Sequence, residues 1–253
     1  MSPAPAVALA SERPDLAAKA DEATVGVWPE YNTHGAVTDL YWHRLHEDVP
    51  DYQFVLYDPS TEDILAQGHT VPIVWDGTVE ALPAGFDGLL ADAFALHDAG
   101  RRGNALSAVA IEIVPAHQGR GLSRLMIEAM AALARRRGLE RLIAPVRPTR
   151  KERYPLMPIE RYASWIRDDG LPYDPWMRVH ARLGARIVRP EPRSLAIRGS
   201  VSEWESWVGM PFPESGDYVF PHGLAPLSVD READVGSYWE PNVWMEHPLT
   251  PSA

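Results

Sequence analysis

The sequence predicts an α+β domain built on a mixed sheet. Three observations point there. Helix and strand patterns follow one another as helix, β-hairpin, strand, helix, strand, helix and strand pair. Between Leu106 and Leu133 a β-branched strand runs through a glycine-bearing turn straight into an amphipathic helix. Hydrophobic residues make up 45% of the 253 positions, enough for a packed core, yet no run of about 18 apolar residues suggests a membrane span.

The elements read in order as follows. Residues 1–23 are rich in Ala, Pro and charge and are expected as a flexible tail or a short helix. Gly35 to Glu47 carries Val37, Leu40, Tyr41 and Leu45 at roughly helical spacing. Tyr52–Tyr57 reads as a strand, Asp58-Pro59-Ser60 as a turn, and Ile64–Trp75 as the partner strand, bent at Pro72. A helix fits Phe86–His97. Leu106–Val114 is a strand that Pro115 ends, and His117 to Gly121 is a tight turn. Leu122, Leu125, Met126, Ala129, Met130 and Leu133 then fall on one helical face. Arg135, Arg136 and Arg137 complement that helix's C-terminal dipole, and Gly138 ends it. Arg141–Val146 is the next strand, followed by a stretch dense in proline and aromatics up to Trp176. A short helix over Trp176–Leu183 stops at Gly184, and strands are expected at Ala185–Val188 and Ser194–Gly199. Residues 200–253 hold several tryptophans and prolines without a clear period.

Composition narrows the function classes. Cysteine is absent, which removes disulfides, thiol nucleophiles and thiolate metal sites. The formal net charge of −11 disfavours nucleic acid, whose phosphates it repels, and suits a cationic partner. Met1 to Ala20 lacks the charge pattern of a signal peptide. No membrane partner and a cytoplasmic location are therefore expected. His43-Arg44-Leu45-His46-Glu47-Asp48 invites a metal reading, but no H-E-x-x-H occurs and no metal is expected.

The turn before the amphipathic helix carries the chemistry. Gly119 and Gly121 let a ligand approach the main chain. The turn opens onto a helix N-terminus, whose free N–H groups and positive dipole end suit a phosphate or pyrophosphate. Arg120 adds a full charge. Neither a G-x-x-x-x-G-K-[ST] loop nor a G-x-G-x-x-G dinucleotide fingerprint is present.

Gln118-Gly119-Arg120-Gly121-Leu122-Ser123 resembles the coenzyme A motif (Gln/Arg)-x-x-Gly-x-(Gly/Ala) of the GCN5-related N-acetyltransferases, with Ser123 in place of the usual Gly or Ala. Downstream, Val179-His180-Ala181-Arg182-Leu183-Gly184-Ala185 resembles the family's closing helix, Tyr-x-x-Leu-Gly-Phe, with His180 at the tyrosine position. The resemblance covers roughly residues 24–199. It implies a mostly antiparallel sheet flanked by helices, with two central strands splayed apart to admit pantetheine. Residues 200–253 are then an extension packed on this catalytic domain.

The resemblance implies acetyl-CoA or another short acyl-CoA as co-substrate. Ile113 and Val114 would offer main-chain groups to pantetheine. Gln118, Gly119, Arg120, Gly121, Leu122 and Ser123 would hold the pyrophosphate, with the Ser123 hydroxyl available to cap the helix. His180 would act as the proton donor to the thiolate, or as a base.

The residues themselves suggest the remaining roles. Glu112, set among Val109, Ile111, Ile113 and Val114, suits a general base with a raised pKa; an exposed strand residue paired with an arginine is the plainer reading. Arg147 is a candidate grip for an acidic group of the acceptor or for the adenosine phosphate. Asp168 and Asp174 are candidates for holding a cationic acceptor, although Asp169-Gly170 and Asp174-Pro175 also read as turns. Glu240 and His247 stand as polar contacts in a pocket wall or within a docked strand.

The leading expectation is direct transfer of an acyl group from coenzyme A to the amine of a small molecule. The alternatives are a decarboxylase or carrier-protein acyltransferase on the same fold, and a non-catalytic acyl-CoA-binding module. A homodimer is compatible with either state.

Overall fold

The computed structural model describes residues 4–249. The chain order is β1 (Ala6–Leu9), α1 (Pro14–Ala23), α2 (Ala36–Tyr41), α3 (Arg44–Glu47), β2 (Gln53–Tyr57), β3 (Ile64–Ile73), α4 (Gly85–Asp98), β4 (Ala105–Ile113) and α5 (Leu122–Arg136). It continues with β5 (Arg141–Val146), α6 (Ile159–Ala163), α7 (Pro175–Arg182), β6 (Arg186–Gly199), α8 (Val201–Val208), β7 (Gly216–Tyr218), β8 (Leu227–Asp230) and β9 (Val235–Pro248). One sheet runs β1-β2-β3-β4-β5-β9-β8-β7, with β6 on the other side of β9. Every pairing is antiparallel except β4 with β5.

The parallel pair is short, and this creates the cleft. Ala105, Leu106 and Ser107 face Arg141, Leu142 and Ile143, and pairing stops there. Beyond it β4 stays on β3, where Glu112 faces Gln67. Meanwhile β5 stays on β9, where Pro145 faces Trp244. The two strands separate into a wedge whose β4 edge is unpaired from Ala108 to Ile113. This is the predicted splay. Pro145 removes a ladder donor from β5 on that stretch.

Helices cover both faces. Leu89, Leu90, Ala93 and Phe94 of α4 pack on Val71, Ile73 and Trp244. The apolar stripe of α5, Leu122, Met126, Met130 and Leu133, packs on Phe54, Leu106 and Leu142. Most of the stripe read from the sequence becomes buried, but Leu125, expected on the same face, is 37% exposed, and Ile127 and Ala134 are buried instead.

Four expectations change. Residues 6–23, expected as a flexible tail or a short helix, form β1 on the edge of β2 as well as the helix α1. Leu16, Ala17 and Ala20 bury against Val55 and Ile64. The helix expected over Gly35 to Glu47 breaks at Trp42 and His43 into α2 and α3. The two strands expected at Ala185–Val188 and Ser194–Gly199 are one strand, β6, whose pairing on β9 shifts register between Ile187 and Arg189 and again between Glu191 and Leu195. Finally, no sheet boundary falls at residue 199. Within residues 200–253, β9 is paired with β6 along most of its length and with β5 and β8 on its other edge.

A separate aromatic core ties this last segment to the N-terminal half. Trp204 of α8 is fully buried among Tyr31, Phe220 and Tyr238, and its indole N–H donates to the Gly236 carbonyl at 3.1 Å. Gly236 has no alternative residue: a Cβ there would lie 2.3 Å from the Trp204 ring. Trp204→Ala is expected to lower unfolding free energy by about 3–5 kcal/mol. Urea unfolding reads this as a lower midpoint at unchanged slope. A midpoint within error of the parent would show that this core is not coupled to the rest.

Candidate active site

The wedge opens into a cleft of about 1200 Å³. Its walls are the free edge of β4, residues Ala144 to Arg147 at the end of β5, the segment from Thr24 to Thr33, Trp176 and His180 of α7, and Glu240 and Asn242 of β9.

The glycine turn stands at one end. Gly119 and Gly121 have φ of +75° and +78°, the left-handed region that disfavours side chains. A Cβ built on either meets nothing within 4 Å, so the protein leaves open space over this backbone. Gly121 is itself the N-cap of α5, with no side chain capping the first turn. The Ser123 hydroxyl therefore does not cap the helix as expected; Ser123 lines the cleft. The first-turn amides stay available to an anion. Gln118 lines the cleft too, and its amide donates to the Ile113 carbonyl at 3.3 Å. Arg120 is exposed beside His117, ring nitrogen to guanidinium 2.8 Å. The Leu122 side chain is core, so only its amide faces the turn. Val114 is a correction: its N–H donates to Leu65 and its carbonyl accepts from His117. Both groups are used internally, and the free main chain lies earlier, from Ala108 to Ile113.

Glu112 reaches the cleft from β4 and is only 5% exposed. Trp28 Nε1 donates to one oxygen at 2.5 Å and Gln67 Nε2 to the other at 2.6 Å. His69 Nε2 lies 3.9 Å away. Burial pushes the carboxyl up, but His69, Gln67 and Trp28 outweigh it and hold the group below the usual carboxylate range. The expected raised pKa is therefore corrected: Glu112 is ionised at neutral pH. Around it, Gln67 Oε1, His69 Nε2 and His46 Nε2 are buried without a hydrogen-bond partner among the described residues, although His46 Nε2 lies 3.8 Å from Asp21.

Arg147 and Glu240 hold each other. Arg147 Nε donates to Glu240 at 2.6 Å, and its Nη2 reaches Tyr31 Oη and the His222 carbonyl at 3.0 and 2.9 Å. Asn32 and Tyr238 donate to the same carboxylate at 3.1 and 3.0 Å. Neither charge is free to grip an acceptor alone; they form a neutral wall of the cleft. Asn32 Oδ1 remains buried and unpartnered beside them.

The two aspartates are placed elsewhere. Asp174 is the N-cap of α7, accepting from Trp176 and Met177, and also from Arg150 and Tyr162. All its capacity goes to structure. Asp168 is exposed in a turn and does not line the cleft.

His180 lines the cleft and is buried, its Nδ1 2.8 Å from His247 Nε2. Burial and the neighbouring ring push His180 down to about 3. Burial brings His247 to about 4, against the opposing pull of the Leu183 carbonyl. At neutral pH both rings are neutral, so the expected imidazolium donor is absent at rest.

These depressed values also set an acid limit to stability. The unfolded histidines bind protons near about pH 6.5, which the folded rings refuse. Stability is complete above that pH and falls as pH drops toward 4, by up to about 1.4 kcal/mol per unit for each ring. Glu112, depressed as well, adds loss in the same direction below the usual carboxylate pKa. Urea unfolding at pH 7 and pH 5 is expected to show the weaker fold at pH 5, with a shallower dependence in His247→Gln. Equal slopes in the two proteins would remove the histidine pair as the cause.

A strand edge freed by splaying, ending in a glycine turn at a helix N-terminus, defines an acyl-CoA-dependent transferase site. The comparisons agree with that class. Residues 28–157 match the model of the acetyltransferase (GNAT) family. Arginine N-acetyltransferase avaD of Aspergillus versicolor is 32% identical over 251 residues, covering 88% of this chain and 86% of the relative. The chain belongs to the GNAT family, and it is an N-acyltransferase that uses an acyl-CoA. Two solved structures share the fold over nearly the whole length. The loading GNATL domain of CurA from Lyngbya majuscula superposes with a TM-score of 0.59 at 17% identity, covering 98% of each chain. The GphF GNAT-like decarboxylase gives 0.58 at 20% identity, covering 97% of this chain and all of that one.

Several residues of the site carry no sequence signal of their own. Trp28, Asn32 and Tyr31 lie in a segment without a period. Gln67 and His69 did leave one: two polar residues at period two inside an apolar strand, both facing one side.

Proposed function

We propose that the protein transfers an acetyl or other short acyl group from coenzyme A to the amine of a small cationic acceptor, with arginine and its relatives the first candidates. The charge of the cleft carries this reading. Among the described lining residues, Asp21, Glu30, Asp39, Glu47, Glu112 and Glu240 are acidic, against Arg147 alone as a fixed cation. Arg147 neutralises Glu240, and the other carboxylates face the cleft without a lysine or arginine beside them there. Such a surface draws in cations and repels carboxylates. The similarity to an arginine N-acetyltransferase supports the same choice.

The residues divide the work. The amides at the start of α5 and the left-handed backbone of Gly119 and Gly121 suit the pyrophosphate. The unpaired edge of β4 suits the amides of pantetheine. Bound acyl-CoA supplies the thioester carbonyl, and β4 N–H groups orient and polarise it. Glu112, ionised and inside the cleft, attracts the ammonium form of the acceptor and takes its proton. Asn32 Oδ1 offers a further acceptor to an N–H-rich group.

The decarboxylase and carrier-protein alternatives fit this surface less well. The malonyl carboxylate and an acidic carrier would both meet like charge. The test is incubation with acetyl-CoA and a panel of L-arginine, agmatine, L-lysine, spermidine and a neutral amino acid. Thiol release and the mass of the acylated product are read in each case. Turnover restricted to the cationic amines is expected. Turnover of none, with carbon dioxide released from malonyl-CoA, would overturn the proposal.

A further inference from the structure

His180 and His247 come from distant parts of the chain, on α7 and β9. Their rings are 3% and 5% exposed, and their facing nitrogens are 2.8 Å apart. A neutral imidazole has one donor and one acceptor. Across this contact one ring must donate and the other accept. His180 Nε2 decides which: it is buried with no hydrogen-bond partner among the described residues, and a buried N–H left without a partner is rarer and costlier than a bare acceptor nitrogen. His180 therefore carries its proton on Nδ1 and donates it to His247 Nε2.

His180 has now committed its only proton. Its Nε2 is bare, buried, and without a partner among the described residues. The ring lines the cleft, and Trp176 packs edge-on against it at 4.4 Å between centroids. We propose that His247 is a positioning residue that locks His180 in the tautomer protonated at Nδ1, so that His180 meets the cleft as a proton acceptor.

This rests on the reading of the cleft as the acyl-transfer site. The order of proton movement follows. Attack forms the amine N–C bond and breaks the C–S bond. Glu112 has already taken the ammonium's proton; the second proton, which the nitrogen must lose as the N–C bond forms, passes to His180 Nε2, and from there to the departing thiolate sulfur. Burial makes a proton on this ring short-lived, which favours its release to sulfur. A tyrosine at the same position can only donate first; this histidine must accept first. Throughout, the Nδ1–H bond to His247 keeps the ring from turning over.

The tautomer is read on the protein without substrate, by nitrogen-15 spectra of histidine-labelled material at pH 7. The expected result is Nδ1–H and a bare Nε2 for His180. His247→Gln should preserve it, because the amide oxygen can accept from His180 Nδ1 in place of His247 Nε2. His247→Leu removes the acceptor, and the Nδ1–H signature should be lost. With acetyl-CoA and L-arginine, His247→Leu should lower kcat about 10–100-fold with KM for acetyl-CoA nearly unchanged. His247→Gln should stay within about threefold of the parent. An Nε2–H signal for His180 in the parent overturns the proposal, and so does a His247→Leu protein with parental kcat. Failure of arginine and every other amine to react would sink the functional reading instead, while the spectrum still decides the tautomer. Should His247→Leu not fold, the parent spectrum and His247→Gln carry the test.

Discussion

Gly121→Asp is expected to weaken acetyl-CoA binding by at least about 100-fold while the protein stays folded. Gly121 caps α5 with φ of +78°, and a Cβ there meets no other atom within 4 Å. The fold can therefore accept the side chain. The strain is the modest one of a left-handed residue, which Asp and Asn tolerate better than most. The ligand cannot accept it, because the space is where pyrophosphate approaches the backbone. A carboxylate about 4 Å from a phosphate charge costs on the order of 4 kcal/mol at an effective dielectric of about 20. It also neutralises the positive helix end. Gly121→Asn is the control, with the same backbone strain and nearly the same volume but no charge. It should lose less than the aspartate variant. Calorimetric titration with acetyl-CoA measures both. A folded Gly121→Asp protein with parental affinity would mean that the pyrophosphate lies elsewhere.

That prediction was available from the sequence because its signal is local. A glycine turn, a helical stripe and a β-branched strand are read within thirty residues of one another. The bounds of β5, Arg141–Val146, accordingly appear as expected, and so does the α5 stripe apart from the exposed Leu125. The splay followed from the family resemblance, and it appears as the halt of pairing after Ser107 and Ile143.

What the sequence hid is non-local. β9 is readable as a pocket wall or a docked strand, but its central place in the sheet is not, because Glu240, Glu246 and His247 interrupt its apolar pattern. Each is buried because a distant residue satisfies it. Arg147 meets Glu240, Arg141 and Arg186 meet Glu246, and His180 meets His247. Those partners are 93, 105, 60 and 67 positions away. Asp174 misled in the opposite direction. A carboxylate in a polar insert suggests a cation site, but the residue after it is proline at the first turn of α7, and it serves as a cap. α1, read as either a flexible tail or a short helix, stays undecided because alanines carry little hydrophobic contrast, although Leu16 and Ala20 are fully buried.

Glu112→Gln is expected to lower kcat by about 10²–10⁴-fold, the range for a general acid or base, with KM for acetyl-CoA near the parent's. The substitution keeps the shape and one acceptor oxygen but removes the charge. Trp28 Nε1 and Gln67 Nε2 donate to different oxygens of Glu112, so one of them loses its acceptor. That costs about 1–3 kcal/mol of stability, to be checked by urea unfolding so that inactive protein is not mistaken for slow protein. The pH dependence separates catalysis from structure. Because His69, Gln67 and Trp28 hold Glu112 below the usual carboxylate range against the push of burial, it stays ionised throughout the neutral range. Its own limb in a pH–rate profile must lie below the usual carboxylate range. A rise in rate between pH 6 and 9 then belongs to the acceptor, as its ammonium loses a proton. With the base removed, only the amine already neutral in solution can react. The variant should therefore approach the parent as pH rises through the acceptor's pKa, and fall furthest behind below it. A constant ratio of the two rates across that range would make Glu112 a support for Trp28 and Gln67. Parental kcat at pH 7 would remove it from the reaction altogether, leaving the ammonium proton to depart through solvent.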